Sequence, residues 1–133
     1  MNLFQITLFA ADFPRMLRFY RDELGFDVNN IDPGPPSDPL VNWASLRTGD
    51  VLLELFDAAT FGDLPRLGDA AREAIELAFI VDNVEESRQR LTRAGVDCGP
   101  VAEERWGRFA AFRDPEGNRL QIFEVFDTSG GNA

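Results

Sequence analysis

The chemistry open to this chain is bounded first by a residue it lacks. None of its 133 residues is a histidine. Ser-His-Asp and Cys-His catalysis, His-ligated zinc and the two-His-one-carboxylate iron site all require imidazole and are excluded. The one cysteine, Cys98, stands in Val96-Asp97-Cys98-Gly99-Pro100 with no basic neighbour in sequence to stabilise a thiolate. A nucleophilic role is therefore not expected. What remains is oxygen chemistry from carboxylates and side-chain amides, and such residues recur in a pattern. Gln5 lies seven residues before Asp12, and Glu76 lies seven before Asn83. Glu54 in Leu53-Glu54-Leu55-Phe56 is mirrored by Gln121 in Leu120-Gln121-Ile122-Phe123. Arg47, Arg113 and Arg119 could meet an anion, although lone arginines on strands more often face water or pair with surface carboxylates.

Positioning these side chains falls to a repeated set of elements. Phe4-Gln5-Ile6-Thr7-Leu8-Phe9-Ala10 is rich in strand formers. Asp12 offers an N-cap and Pro14 a first-turn residue for a helix whose apolar face is Met16, Leu17, Phe19, Tyr20 and Leu24, closed by Gly25. A short strand over 26–31 runs into a loop over 32–39, marked by four prolines and a glycine. Strands at about 41–47 and 51–56 follow, joined by the hairpin signal Thr48-Gly49-Asp50. A connector over 57–74 has helical potential. The order then restarts: a strand over 75–81, a helix from the cap Asn83 to about residue 94 closed by Gly95, and strands near 96–103, 108–113 and 120–125. Asp114-Pro115-Glu116-Gly117-Asn118 makes the last turn, and 130–133 is expected to be a disordered tail. Ala44-Ser45-Leu46-Arg47 also mirrors Ala110-Ala111-Phe112-Arg113. A repeat of this kind usually decides the fold.

The composition narrows the partners. A length of 133 residues suits one domain, and 44% hydrophobic residues with 12 Phe can build a core without disulfide or metal support. Twenty-three acidic against 13 basic residues leave a formal net charge of −10. That field repels a phosphate backbone, so no nucleic-acid partner is expected, whereas a cationic small molecule is attracted. No apolar run approaches the roughly 20 residues of a membrane span, and the opening residues lack a basic n-region. The expected location is the cytoplasm, with no membrane partner, and the lone cysteine fits a reducing compartment.

The duplication, with Phe19-Tyr20-Arg21-Asp22-Glu23-Leu24-Gly25-Phe26 after the first strand and Phe112-Arg113-Asp114-Pro115-Glu116-Gly117-Asn118 before the last, resembles the vicinal oxygen chelate superfamily. That superfamily includes glyoxalases, bleomycin-resistance proteins and extradiol dioxygenases, and the similarity covers about residues 3–126. It implies an α+β fold of two βαβββ half-repeats (about 3–57 and 75–126, with connector 58–74) forming cupped mixed sheets in one domain over 1–133. In metal-using members each half supplies two ligands, one on its first strand and one on its last. On the matching positions this chain carries Gln5, Glu54, Glu76 and Gln121. Glu76 stands where a histidine is usual and Gln121 where a glutamate is usual. Extradiol dioxygenase and fosfomycin-transferase chemistry both rely on histidines that are absent here.

Two readings of the four residues follow. Their oxygens would suit Mg²⁺, Mn²⁺ or Ca²⁺ better than zinc or nickel. Alternatively the glutamine N–H groups donate to the glutamates in a metal-free network, and the loss of imidazole favours this reading, with no cofactor. Two converging carboxylates would also repel, so Glu76→Gln is expected to stabilise the metal-free fold. Glu54 is the candidate catalytic residue, a proton shuttle beside a carbonyl, although the preferred role is an acceptor that orders ligand or water. Strand alternation places Thr7 and Phe9 beside Gln5, Leu52 and Phe56 beside Glu54, and Arg119 and Phe123 beside Gln121. With Trp43, Trp106, Phe109 and Phe112 on neighbouring strands, the expected ligand pocket is Thr7, Phe9, Trp43, Phe56, Trp106, Phe112 and Phe123. The function expected is binding of a small-molecule ligand, as in bleomycin-resistance proteins; the alternative is a metal-dependent, glyoxalase-like lyase or isomerase. A homodimer is expected, because an open cup leaves a large apolar patch. Whether the cup forms within one chain or between two stays open.

Overall fold

Alternation of apolar and polar residues explains the first strand, β1 (Gln5–Ala10), and the residues after it explain where it stops. Asp12 accepts a hydrogen bond from the Arg15 N–H at 3.2 Å and Pro14 sits in the first turn, which starts α1 (Phe13–Arg18). The computed structural model describes residues 1–31, 42–60 and 73–126. The proline-rich loop expected over 32–39, most of the expected connector and the tail over 130–133 lie outside them. α1 does not continue as one regular helix to Leu24. It widens into a π turn (Phe19–Glu23), closed by the Leu24 N–H donating to the Phe19 carbonyl at 2.9 Å. The wider turn lets the successive aromatics Phe19 and Tyr20 both be buried, edge to face with centroids 5.1 Å apart. Gly25, at φ 85°, ends it in the left-handed region that glycine tolerates.

Two compact units divide the chain, Met1–Arg66 and Leu67–Ala133. In the first, β1, β2 (Asp27–Ile31), β3 (Trp43–Arg47) and β4 (Leu52–Asp57) form a sheet of order β1-β4-β3-β2, with β1 parallel to β4 and the other pairs antiparallel. One face carries Ala10, Ala44, Leu46, Leu53 and Leu55, all buried, and α1 packs on β4. Complete burial of a leucine such as Leu46 or Leu55 stabilises by about 1.5–3 kcal/mol. The other face carries Gln5, Thr7, Phe9, Trp43, Glu54 and Phe56, which keep partial access to water. A mixed sheet covered on one side only requires this division.

The second unit repeats the plan with β5 (Glu76–Ile80), α2 (Val84–Arg93), β6 (Ala102–Glu104), β7 (Gly107–Arg113) and β8 (Arg119–Val125), in the order β5-β8-β7-β6. Asn83 caps α2 by accepting from the Glu86 N–H at 3.0 Å, acidic Glu85 and Glu86 lie in its first turn and Arg90 and Arg93 in its last. That distribution complements the helix dipole. Val84 and Leu91 bury against β7 and β8. The strand expected over 96–103 is shorter: its ladder covers Ala102–Glu104, and before it the Gly99 N–H donates to the Ala111 carbonyl of β7 at 2.8 Å. Arg88 draws the carbonyls of Gly99 (2.7 Å) and Cys98 (3.3 Å) toward the helix, and Pro100 has no N–H for a ladder. The turn expected at Asp114–Asn118 is present: the buried Asp114 carboxylate accepts from the Glu116 N–H, the Asn118 N–H and the Asn118 side chain at 2.8–3.0 Å. The fold is α+β, two βαβββ half-repeats each built on a four-stranded mixed sheet. No helix among the described residues is long and apolar enough to cross a membrane.

Candidate functional site

In the first unit the strand register brings the polar residues to one place. Thr7 is paired with Glu54 across β1 and β4, and Ser45 with Glu54 across β3 and β4. Gln5 Nε2 donates to Glu54 Oε1 at 3.0 Å and Thr7 Oγ1 donates to the same oxygen at 3.2 Å. Gln5 Nε2 also lies 3.3 Å from Thr7 Oγ1. Two donors on one carboxylate oxygen hold the glutamate in a fixed rotamer, and hydrogen bonds to a charged acceptor are the stronger kind. Asn29 extends the polar strip by donating to Ser45 Oγ at 3.1 Å. Further along the same face the rings gather. Phe9 is paired with Phe56 (centroids 6.2 Å apart), and Trp43 stacks on the other side of Phe56 at 6.3 Å and 25°. The result is a carboxylate at one end of an aromatic row, with Phe9 47% exposed.

The second unit carries the related arrangement with a different charge balance. Gln121 Nε2 donates to Glu76 Oε1 at 3.2 Å, and Arg119 Nη2 lies 3.2 Å from Glu76 Oε2. Phe109 is paired with Phe123; Trp106, in the turn before β7, stacks parallel to Phe109 at 6.1 Å and meets Phe123 edge-on at 5.9 Å. Trp106 is 44% exposed, and its carbonyl accepts from the Phe126 N–H at 2.8 Å. Where Phe9 stands in the first unit, the second has Ile80, paired with Phe123 and exposed.

The register sets one expected pocket residue apart from the aromatic rows. Phe112 is paired with Leu120, not with Gln121 or Phe123, and is buried. Alternation along β7 turns its side chain to the face that carries α2, and Phe109 takes the place assigned to it. The other expected residues, Gln5, Thr7, Phe9, Trp43, Glu54 and Phe56 in one unit and Glu76, Trp106, Gln121 and Phe123 in the other, lie on the face away from the helix of their unit. Ser45, Asn29 and Ile80 join them without having been marked by the sequence pattern. The alternation that finds Thr7 also reaches Ile80, and the Ser45 partner of Glu54 needs the β3–β4 register.

The donor set can be tested against a metal. Among the described residues, no group of three or more His, Cys, Asp or Glu could hold an ion. In each unit a single carboxylate is joined by one glutamine whose N–H, not its oxygen, points at it. Glu76 is also neutralised by a guanidinium. Neither pair fits a tightly held metal. Cys98 is buried, and burial pushes its thiol above the usual range, which keeps it protonated and unreactive.

Comparison with known proteins agrees with this architecture. Among curated proteins, the chain is 28% identical to the uncharacterized protein YraH of Bacillus subtilis (strain 168) over 133 aligned residues, 94% of this chain and 99% of that protein. Among solved structures, it is similar to TnmS3, an antibiotic binding protein from Streptomyces sp. CB03234, with 24% identity, TM-score 0.73, and 95% of this chain and 97% of that one covered. A lactoylglutathione lyase from Agrobacterium tumefaciens shares the fold at 23% identity and TM-score 0.64, with 92% of each chain covered. The family model of the Glyoxalase/Bleomycin resistance protein/Dioxygenase superfamily matches residues 2–122, and the chain belongs to that superfamily.

Proposed function

We propose that this chain binds an organic small molecule against the open, polar-aromatic faces of its sheets and does so without a metal. The observation that carries the reading is the row Glu54–Phe56–Phe9–Trp43, in which a carboxylate held by Gln5 and Thr7 adjoins three partly exposed rings. Aromatic walls with a few fixed polar groups are the usual make-up of a ligand site. A planar cation would stack on the rings and meet Glu54, and the net charge of −10 raises its local concentration. TnmS3, a protein of the same fold, is an antibiotic binding protein, so ligand binding is a use this scaffold is put to. The alternative, a metal-dependent lyase or isomerase with Glu54 as proton shuttle, is disfavoured by the hydrogen-bonded Gln–Glu pairs and by Arg119 on Glu76. A homodimer and a cytoplasmic location are part of the same proposal. In the second unit Ile80, Trp106 and Val125 are exposed, and a second copy is the occupant we propose for this apolar surface.

The test uses proflavine, a planar aromatic cation, and the two tryptophans as reporters. Saturable quenching of tryptophan fluorescence together with a rise in melting temperature is expected. Phe56→Ala should abolish both, and Glu54→Gln should weaken binding by about five- to tenfold while a neutral tricyclic such as anthracene carboxamide is bound equally by both forms. Binding unchanged in Phe56→Ala refutes the site. A monomeric mass near 15 kDa by light scattering refutes the dimer.

A further inference from the structure

Arg113 and Arg119, expected as lone strand arginines, are directly opposed across the antiparallel β7–β8 pair. Like charges so placed destabilise a sheet unless an anion lies between or beside them. Here the anions come from the chain. Glu73 spans Arg113 with both oxygens, Oε1 at 2.7 Å from Nη1 and Oε2 at 3.2 Å from Nη2. Glu76 takes Nη2 of Arg119, while Arg119 Nη1 reaches the Glu73 carbonyl at 3.3 Å. These groups line a cavity of about 380 Å³ in the second unit, with Ala111, Phe112 and Leu120 as its less polar wall. The cavity is open to solvent on one side, so it would hold a small ligand only in part. The Glu73 carboxyl is held below the usual carboxylate range by its hydrogen bond to Arg113, so it is charged across the neutral range.

We propose that this cavity is a carboxylate-binding site in which Glu73 is a displaceable internal occupant. The geometry specifies the class of ligand, because the group now clamped by Arg113 through two oxygens is itself a carboxylate. Displacement is easy for a physical reason: Arg113 and Glu73 are about half exposed, and exposed ion pairs contribute little. An arriving carboxylate restores the charge balance of the arginine pair, and an apolar body attached to it rests on the exposed Ala111. This site adjoins Glu76 but does not use the aromatic rows, so it stands or falls separately from the binding reading above.

The probe is benzoate, followed by amide and arginine side-chain shifts in nuclear magnetic resonance spectra of the full chain. Benzyl alcohol serves as the neutral control of the same shape, and phenyl phosphate as the competing anion. Saturable shifts at Ala111, Arg113, Arg119 and Leu120 are expected with benzoate and not with benzyl alcohol. Glu73→Gln, which removes the internal competitor, should tighten benzoate by about two- to fivefold, the range an exposed pair is worth. Arg113→Gln should weaken it by about tenfold or more. If Arg113→Gln does not fold, the exposed Glu73→Gln exchange carries the test alone. No saturable shift in either the parent or Glu73→Gln overturns the proposal, as does weaker binding in Glu73→Gln or equal shifts from benzyl alcohol. Phenyl phosphate binding more tightly than benzoate overturns the assignment to carboxylates. Tryptophan quenching by proflavine should be unaffected by benzoate in every case.

Discussion

Glu76→Gln separates two physical accounts of the same carboxylate. If Glu76 faced only a second negative charge, neutralising it would stabilise the protein, as the sequence alone suggests. In the structure its nearest charge is positive: Arg119 Nη2 lies 3.2 Å away, and Gln121 donates to the other oxygen at 3.2 Å. A glutamine of the same shape keeps an oxygen for Gln121 and loses the ion pair. The partners' side chains are 43% and 28% exposed, so water screens the pair and its loss falls on the exposed-pair scale. The expected cost is about 0.2–1 kcal/mol, or roughly 1–4 °C in melting temperature for a chain of this length. Urea unfolding followed by tryptophan fluorescence, at about 10 mM and about 500 mM salt, measures it. The deficit should shrink at high salt, where the screening length falls from about 30 Å to a few ångströms. An Arg119→Gln partner variant should show coupling of the same size in a double-mutant cycle. A Glu76→Gln protein more stable than the parent at low salt would refute the ion-pair account and show that like-charge repulsion outweighs the attraction of Arg119.

Asp114→Ala should cost about 1–3 kcal/mol in urea unfolding, because the Glu116 and Asn118 backbone N–H groups lose a buried acceptor; Asp114→Asn, which keeps one oxygen, should cost less, and equal costs would count against this reading. Cys98 should react with iodoacetamide at about pH 8 several-fold more slowly in the native protein than in urea, since burial holds its thiol pKa up and leaves less thiolate. Equal rates in the two states would show that the thiol is accessible and unperturbed.

Much of this protein is legible from local pattern because local rules produce it. The caps Asp12 and Asn83, the glycines at 25, 95 and 117 with positive φ, and the Asp114–Asn118 turn each act within a few residues. Alternation within single strands correctly groups Thr7 with Gln5 and Phe123 with Gln121, because a strand's period of two needs no partner. The repeated order of elements then decides the fold. Tertiary structure decides what depends on pairing between strands distant in sequence. Phe112 falls on the face opposite to the one expected because nothing near it reveals that β7 sets it against Leu120. The ladder is interrupted over 96–101, where Arg88, ten and eleven residues away, takes the Cys98 and Gly99 carbonyls and Gly99 keeps one bond to Ala111. Most consequentially, the opposition of Arg113 and Arg119 and the pairing of Arg119 with Glu76 follow from register alone. Charges meet through space, and a composition that counts acids and bases does not say which ones are neighbours.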